Sequence, residues 1–434
     1  MSRPRATPDP PALVPAGSNQ RFRTAPTRFL NDLHDRYGDV VAVRLDGKPT
    51  VVFGGRHGPA TLFRGEREHL EVHNTELVRD LFGRAIFNLR SYRHRQARTL
   101  LRAGLSGPAL HAYAPTVARL AETHVRGWAT APVDLYEAVR ALTTNICTDV
   151  VIGLSTNDPD RPRFPRLLDQ FSTAATVSPS TRYRTATYWT GRCAAAHLRA
   201  AFRRTMVKAT YEDKPSLLCS LTRSAQSLGV DPAALPDHLL ALLIATRETT
   251  ASLLTWLLAE LSAIPDATDR LAADIDLLHR DPAAALDPLA TPTMAAVLRE
   301  TQRLHSPNTI SRRIVTTDWD VHGHRIPAGW NAAYSPSANH LRPDLVEDPH
   351  IFLPTRYADV LGARRSALLL TFGGGIHACP GRSLADMIAR QVAAAVFGHH
   401  RLYLPHGVPS GCRYLPVKAP TSPVPAVLLA RSAT

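Results

Sequence analysis

The sequence predicts a mainly α-helical fold with small β-sheets, organised as one domain. Three observations predict it. From about residue 94 to residue 304, apolar residues recur at three- and four-residue spacing broken by Pro and Gly, the pattern of successive amphipathic helices. Before that region, "DVVAVRLDGKPTVVF" (39–53) sets β-branched runs around an Asp-Gly pair and reads as a hairpin. After it, 314–334 repeats the design around a "HGHR" turn, and the closing stretch "RLYLPHGVPSGCRYLPVKAPTSPVPAVLLA" reads as strand and turn.

The 434 residues are 44 % apolar and 20 % charged, enough core material for a large globular domain. No internal repeat or long linker divides them, so residues 21–434 are taken as a single domain. Residues 1–20, "MSRPRATPDPPALVPAGSNQ", are basic, proline-rich and without an apolar run; they read as a disordered arm, not as a leader or a membrane anchor. The five cysteines (Cys147, Cys193, Cys219, Cys379 and Cys412) are odd in number and far apart, which argues for a reducing, cytoplasmic setting. No pair of them has zinc-like spacing.

The formal charge of +14 comes with scattered arginines and no basic tract interleaved with aromatics, so nucleic acid is not the expected partner. An acidic protein partner, or a buried anionic cofactor that needs cations, fits better. The longest apolar stretch, "LLALLIATRETTASLLTWLLAEL", carries Arg247 and Glu248 near its middle. Two charges at bilayer depth are costly, so this is read as a buried helix over 236–264, about 43 Å long at 1.5 Å per residue.

The most informative segment is "FGGGIHACPG" (372–381), with one cysteine set behind three glycines and a histidine. The residues after it, "RSLADMIARQVAAAVF", place Leu384, Ile388, Val392 and Val396 on one helical face. Pro380 is read as lying in the first turn of that helix and Cys379 at its N-terminal end, where the macrodipole lowers a thiol's pKa. A thiolate so held is a soft metal ligand, and side-chain-free glycines admit a large flat group such as haem. The alternative is a buried structural cysteine beside a glycine turn. The five fixed positions Phe372, Gly375, His377, Cys379 and Gly381 coincide by chance at roughly 2 in 10⁵ over a chain of this composition.

On these residues the sequence resembles the cytochrome P450 family of thiolate-haem monooxygenases. The resemblance implies a single P450 fold of triangular-prism shape, with haem b (iron protoporphyrin IX) between a long central helix and the cysteine-loop helix. It makes Cys379 the iron ligand and places Phe372, Gly373, His377 and Gly381 at the cofactor. Four further segments agree with it. "ETQR" (Glu300–Arg303), with the later "FLPTRY", resembles the family's structural cluster, here Glu300, Arg303 and Arg356. "HRQAR" supplies His94 and Arg98, and "SRRIVTTD" supplies Arg313; with His377 they match positions that meet the two haem propionates. In the central helix Ala245 lies against the cofactor, and Glu248 and Thr249 match an acid–alcohol pair that manages protons during oxygen activation. The non-family reading of that pair is a Thr bonded back to its own helix and an acid paired with Arg247. Thr246 replaces the family's usual glycine, so a wider pocket, a participating hydroxyl and impaired oxygen chemistry all stay open.

The resemblance implies insertion of one atom of O₂ into a hydrophobic small molecule, with a lean toward a terpenoid or other secondary metabolite. Electrons are expected from an acidic ferredoxin and its NAD(P)H-dependent reductase, docking on Arg93, Arg95, Arg364, Arg365 and Arg382. Substrate walls are expected from 77–90, 166–185, 240–245, "SPNTI" and the loop near Tyr414. Two rivals share the haem thiolate: a peroxide-driven or radical-coupling enzyme, and a haem protein that only binds ligand.

Overall fold

A computed structural model describes residues 9–14, 19–209, 215–358 and 369–431. Helices dominate from Ser91 to Leu304, and the sheets flank them in sequence, as the pattern of apolar spacing predicts. The anticipated central helix runs Leu235–Ser262 with Pro236 and Asp237 in its first turn, where proline fits and a carboxylate favours the helix dipole. It packs on the helices Leu135–Ile146, Ala186–Ala209 and Arg382–His399. Its sequence is apolar around nearly the whole circumference because it is buried on nearly all sides.

The hydrophobic core falls into two large clusters, and the central helix belongs to both. Leu235–Leu243 packs in one cluster; Ala251–Leu261 packs in the other, with the helix Arg382–His399. The polar island "ATRETT" (245–250) occupies the junction between them. Among the described residues, no helix is long and apolar enough to cross a membrane.

The larger sheet has five strands in the order Val40–Leu45, Lys48–Phe53, Asn331–Tyr334, Ser311–Val315 and Leu70–Val72. The first two form the predicted hairpin; Asp46 and Gly47 turn it with φ of 49° and 80°, the backbone that an Asp-Gly pair tolerates. The hairpin expected over 314–334 exists in two pieces. Trp319–Val321 pairs with His324–Ile326 around His322 and Gly323, and Ser311–Val315 pairs with Asn331–Tyr334 within the larger sheet. A three-stranded sheet joins Val133–Asp134, Pro425–Ala430 and His400–Tyr403 near the chain's end.

The arm over 1–20 needs correction where it is described. Leu13 bridges Ala42, the Val14 N–H donates to the Ala42 carbonyl at 2.9 Å, and Arg325 N–H donates to Asp9 O at 3.2 Å. A short helix already begins at Asn19 and buries Phe22 against Phe29. The strand Val40–Leu45 is the edge of its sheet, and its unpaired backbone groups recruit the arm. Residues 1–8 and 15–18 lie outside the described residues.

The cluster read from "ETQR" and "FLPTRY" is assembled. Arg303 donates Nε and Nη2 to the two oxygens of Glu300 at 2.8 and 2.7 Å, and its remaining N–H groups reach the carbonyls of His340, Pro349 and Ile351 at 2.6–3.1 Å. Glu300 also accepts from Leu353 N–H at 2.8 Å and Arg356 Nε at 3.3 Å. With Glu300 and Arg303 at 0 % and 1 % exposure, removing one partner strands a buried charge. Replacing Arg303 by Leu is therefore expected to cost about 3–5 kcal/mol in equilibrium denaturation; a loss below about 1 kcal/mol, typical of exposed pairs, would show that the cluster is not structural.

Candidate active site

The cysteine loop is held by backbone hydrogen bonds and by side chains from distant elements. Cys379 N–H donates to Phe372 O at 2.8 Å, and Gly373 N–H donates to Leu370 O at 2.8 Å. Arg98, on the helix Ser91–Gly104, donates Nη1 to Ala378 O at 2.7 Å. Glu66, just after the helix Gly58–Gly65, accepts from Ile376 N–H at 3.1 Å.

The glycines divide between two uses. Gly375 sits at φ +65°, and a Cβ there would lie 2.3 Å from the Glu66 carboxylate; one on Gly374 would lie 2.4 Å from Phe63. These two glycines let the loop close onto the Gly58–Gly65 helix. Gly373 and Gly381 are the glycines that line the cavity.

Cys379 precedes the helix Arg382–His399 by three residues; Gly381 is its N-cap, and Pro380 lies in the turn before it, not inside the first turn. Its side chain is exposed, but into an enclosing cavity instead of the outer surface. Burial by the surrounding protein pushes the thiol's pKa up, against the smaller opposing effects of the Gly381 N–H, Arg98 and Arg382. The expected lowering at the helix end is thus overturned, because one N–H and two guanidiniums do not offset desolvation.

The cavity has a volume of about 350 Å³, in the range of sites that enclose a ligand. His94, Arg98, Arg313 and His377 all line it, together with Phe372, Gly373, Cys379 and Gly381. The rings of His94 and His377 lie 4.3 Å apart. Burial, reinforced by the neighbouring Arg98 and Arg313 charges, lowers their pKa values to about 4 and about 3, so both are neutral near pH 7. Arg313 is less free than its motif implies: Nη2 and Nε meet Glu66 Oε1 at 2.7 and 2.8 Å, and Nη1 donates to Ser311 Oγ at 2.9 Å. Desolvation of the fully buried Glu66 raises its pKa, chiefly opposed by Arg313. No motif points to Glu66, since a lone acid after a helix reads as surface.

Ala245, Thr246 and Thr249 of the central helix line the cavity; Glu248 does not. Thr249 Oγ1 donates to Ala245 O at 2.5 Å. Glu248 Oε1 accepts from Arg247 Nη1 and Ser172 Oγ, each at 3.1 Å, with Arg140 Nη2 at 3.8 Å. Arg247, 3 % exposed, is further tied to Thr144 and Asp169. Both halves of the non-family reading are therefore present as contacts, and the helix runs unbroken past Thr246.

Of the expected walls, Ile86, Phe87, Ala241, Leu242, Pro307 and Asn308 line the cavity, whereas no residue of 166–185 and not Tyr414 does so. Val72, Leu101, Leu105 and Leu217 line it unforeseen. They come from segments whose apolar spacing is that of ordinary core, so pattern alone cannot single them out. A thiol, two guanidiniums, two neutral imidazoles and a largely apolar wall form a donor set that fits a flat, dianionic, metal-bearing macrocycle.

Residues 8–416 match the family model for cytochrome P450. The chain is 26 % identical to a cyclooctat-9-en-7-ol 5-monooxygenase of Streptomyces melanosporofaciens over 425 residues, covering 92 % of this chain and 90 % of that protein. It is 25 % identical to the sterol 14alpha-demethylase of Mycobacterium tuberculosis, covering 86 % of each, and 24 % identical to mouse cytochrome P450 26B1, covering 87 % of this chain and 77 % of the relative. A solved structure described as retinoic acid bound cyanobacterial CYP120A1 superposes with a TM-score of 0.85 at 21 % identity, over 98 % of this chain and 100 % of that one. With a family model spanning most of its length, the Glu–Arg–Arg cluster formed, and the cysteine loop and central helix lining one cavity, this chain belongs to the cytochrome P450 family and is a haem-dependent monooxygenase.

Proposed function

We propose that the cavity holds haem b with Cys379 as its thiolate ligand, and that the enzyme oxygenates a hydrocarbon-rich small molecule of terpenoid type. The observation that carries this reading is the single cysteine facing one cavity together with paired cations and the threonines of the central helix. When bound, haem supplies the reductive activation of O₂, with one oxygen atom entering the substrate and the other leaving as water.

The protein's own residues do the rest. The Gly381 N–H and the Arg98 charge favour the ionised sulfur, while metal ligation supplies what burial removes. Arg98, His94, His377 and Arg313 receive the two carboxylates of the cofactor. The Thr249 hydroxyl donates to Ala245 O and keeps its lone pairs for ordered water beside the reacting centre. Glu248 delivers protons once its carboxylate leaves Arg247 and Ser172, so the Arg247–Arg140 clamp gates that step.

Ile86, Phe87, Leu242 and Leu253 offer apolar contact to the substrate, and Asn308 offers a polar anchor. The named ligands of the similar proteins, a sterol, cyclooctat-9-en-7-ol and retinoic acid, are all hydrocarbon-rich skeletons with few oxygens, which supports this class. Electrons come from an acidic ferredoxin and its NAD(P)H-dependent reductase in the cytoplasm. Arg93, Arg95 and Arg382 are exposed as docking requires, while Arg364 and Arg365 lie outside the described residues.

Three outcomes test the proposal. Cys379→Ser is expected to abolish the thiolate absorption spectrum of the haem-loaded protein, and an unchanged spectrum refutes the assignment. Glu248→Gln is expected to lower kcat by about 100-fold with that spectrum intact; an unaltered kcat removes Glu248 from proton delivery. Charge reversal at Arg93 and Arg95 is expected to slow reduction by an acidic ferredoxin about fivefold at low salt, with the difference vanishing near 0.5 M salt. Equal rates at low salt count against this docking face.

A further inference from the structure

A second cavity, of about 210 Å³, shares no lining residue with the first. The two lie against opposite faces of the cysteine helix: Gly381, Leu384 and Ala385 face the main cavity, while Arg382, Ser383 and Asp386 face this one. Its other walls come from the "ETQR" helix, Pro292–Leu304, and from the segment 285–288.

Its charge is unbalanced. Three guanidiniums, Arg299, Arg382 and Arg390, line it with one carboxylate, Asp386, while Asp274 and Asp287, outside the lining, also favour the Arg390 charge. Arg390 is only 4 % exposed; Nη1 donates to Ala285 O at 2.5 Å, but its buried Nε has no hydrogen-bond partner. Arg299 makes no hydrogen bond or ion pair with any described residue. Arg382 approaches Asp386 only to 3.8 Å, while Asp386 Oδ1 accepts from Gln302 Nε2 at 2.6 Å. The remaining groups are the Ser383 hydroxyl and the open N–H groups of the cysteine helix's first turn.

Buried polar groups in folded proteins have partners, so an orphaned guanidinium N–H beside an unpaired arginine marks a place for one. Guanidinium forks and a helix N-terminus both select oxyanions. We propose that this cavity is a small-oxyanion site that takes inorganic phosphate from solution, held by the guanidiniums of Arg299 and Arg390 and by Ser383. Asp386 sets the choice of oxyanion. At neutral pH phosphate keeps a proton that it can donate to the Asp386 carboxylate, whereas sulfate has none and meets that carboxylate as a like charge. A bound phosphate would tie the "ETQR" helix to the cysteine helix.

The test uses the full-length, haem-loaded protein in a non-coordinating buffer at constant ionic strength. Titration with inorganic phosphate, followed by calorimetry and by the melting temperature, is expected to show saturable one-to-one binding and stabilisation. Sulfate is expected to bind at least tenfold more weakly, and Asp386→Asn to narrow that gap. Arg299→Gln, at a half-buried position that tolerates the change, is expected to weaken phosphate binding at least tenfold. The proposal is overturned if phosphate stabilises no more than chloride at matched ionic strength. It is equally overturned if Arg299→Gln binds phosphate as tightly as the parent protein.

Discussion

A sulfur that must face a cavity from a segment without regular structure can be held only through its backbone, and that constraint organises the surrounding fold. The cysteine loop spends its polar groups on fixed partners: Cys379 on Phe372, Ala378 on Arg98, and Ile376 on Glu66. Glu66 has two duties at once, because the carboxylate that accepts from the loop also pairs with Arg313. Burying that acid is unfavourable alone and tolerable only with its cation in contact. The loop glycines follow from the same closeness, since any side chain at 374 or 375 would strike Phe63 or Glu66.

The frame behind the loop obeys the same electrostatic logic. Arg303 is nearly inaccessible, yet each guanidinium nitrogen finds an acceptor, two of them on Glu300. Such a fully satisfied fork fixes the relative positions of the "ETQR" helix and the segment 340–356. The neighbouring second cavity is the place where this accounting stays open, with Arg299 of the "ETQR" helix unpaired among the described residues and Arg390 Nε of the cysteine helix without an acceptor.

The central helix solves a different problem. A helix shared by two core clusters has no exposed face on which to carry polar residues, so its polar island can exist only where the clusters part. There Thr246 and Thr249 face the cavity, while Arg247 and Glu248 turn to Asp169, Ser172 and Thr144. One turn of helix thereby serves both sides, with the ionic groups satisfied by protein and the hydroxyls left to the ligand. The β-branched Thr246 stands in an unbroken stretch of helix, a stiff, larger side chain where the family's glycine would leave space.

Sequence alone determined the class of fold, the Asp-Gly hairpin, the span of the central helix to within two residues and the membership of the Glu300–Arg303–Arg356 cluster. The first three depend on local periodicity and turn chemistry, and the Glu300–Arg303 spacing puts both side chains on one helix face, while Arg356 joined the cluster through the family resemblance. It also brought Cys379, His94, Arg98, Arg313 and His377 forward as one set, and all five line one cavity. Only the tertiary structure decided what each of those groups has left to offer. Glu66 claims part of Arg313, Arg247 holds Glu248 away from the cavity, burial outweighs the helix end at Cys379, and residues 9–14 join a sheet edge. Partners distant in the chain and the loss of solvent around a charge are products of packing, and no local pattern of residues encodes them.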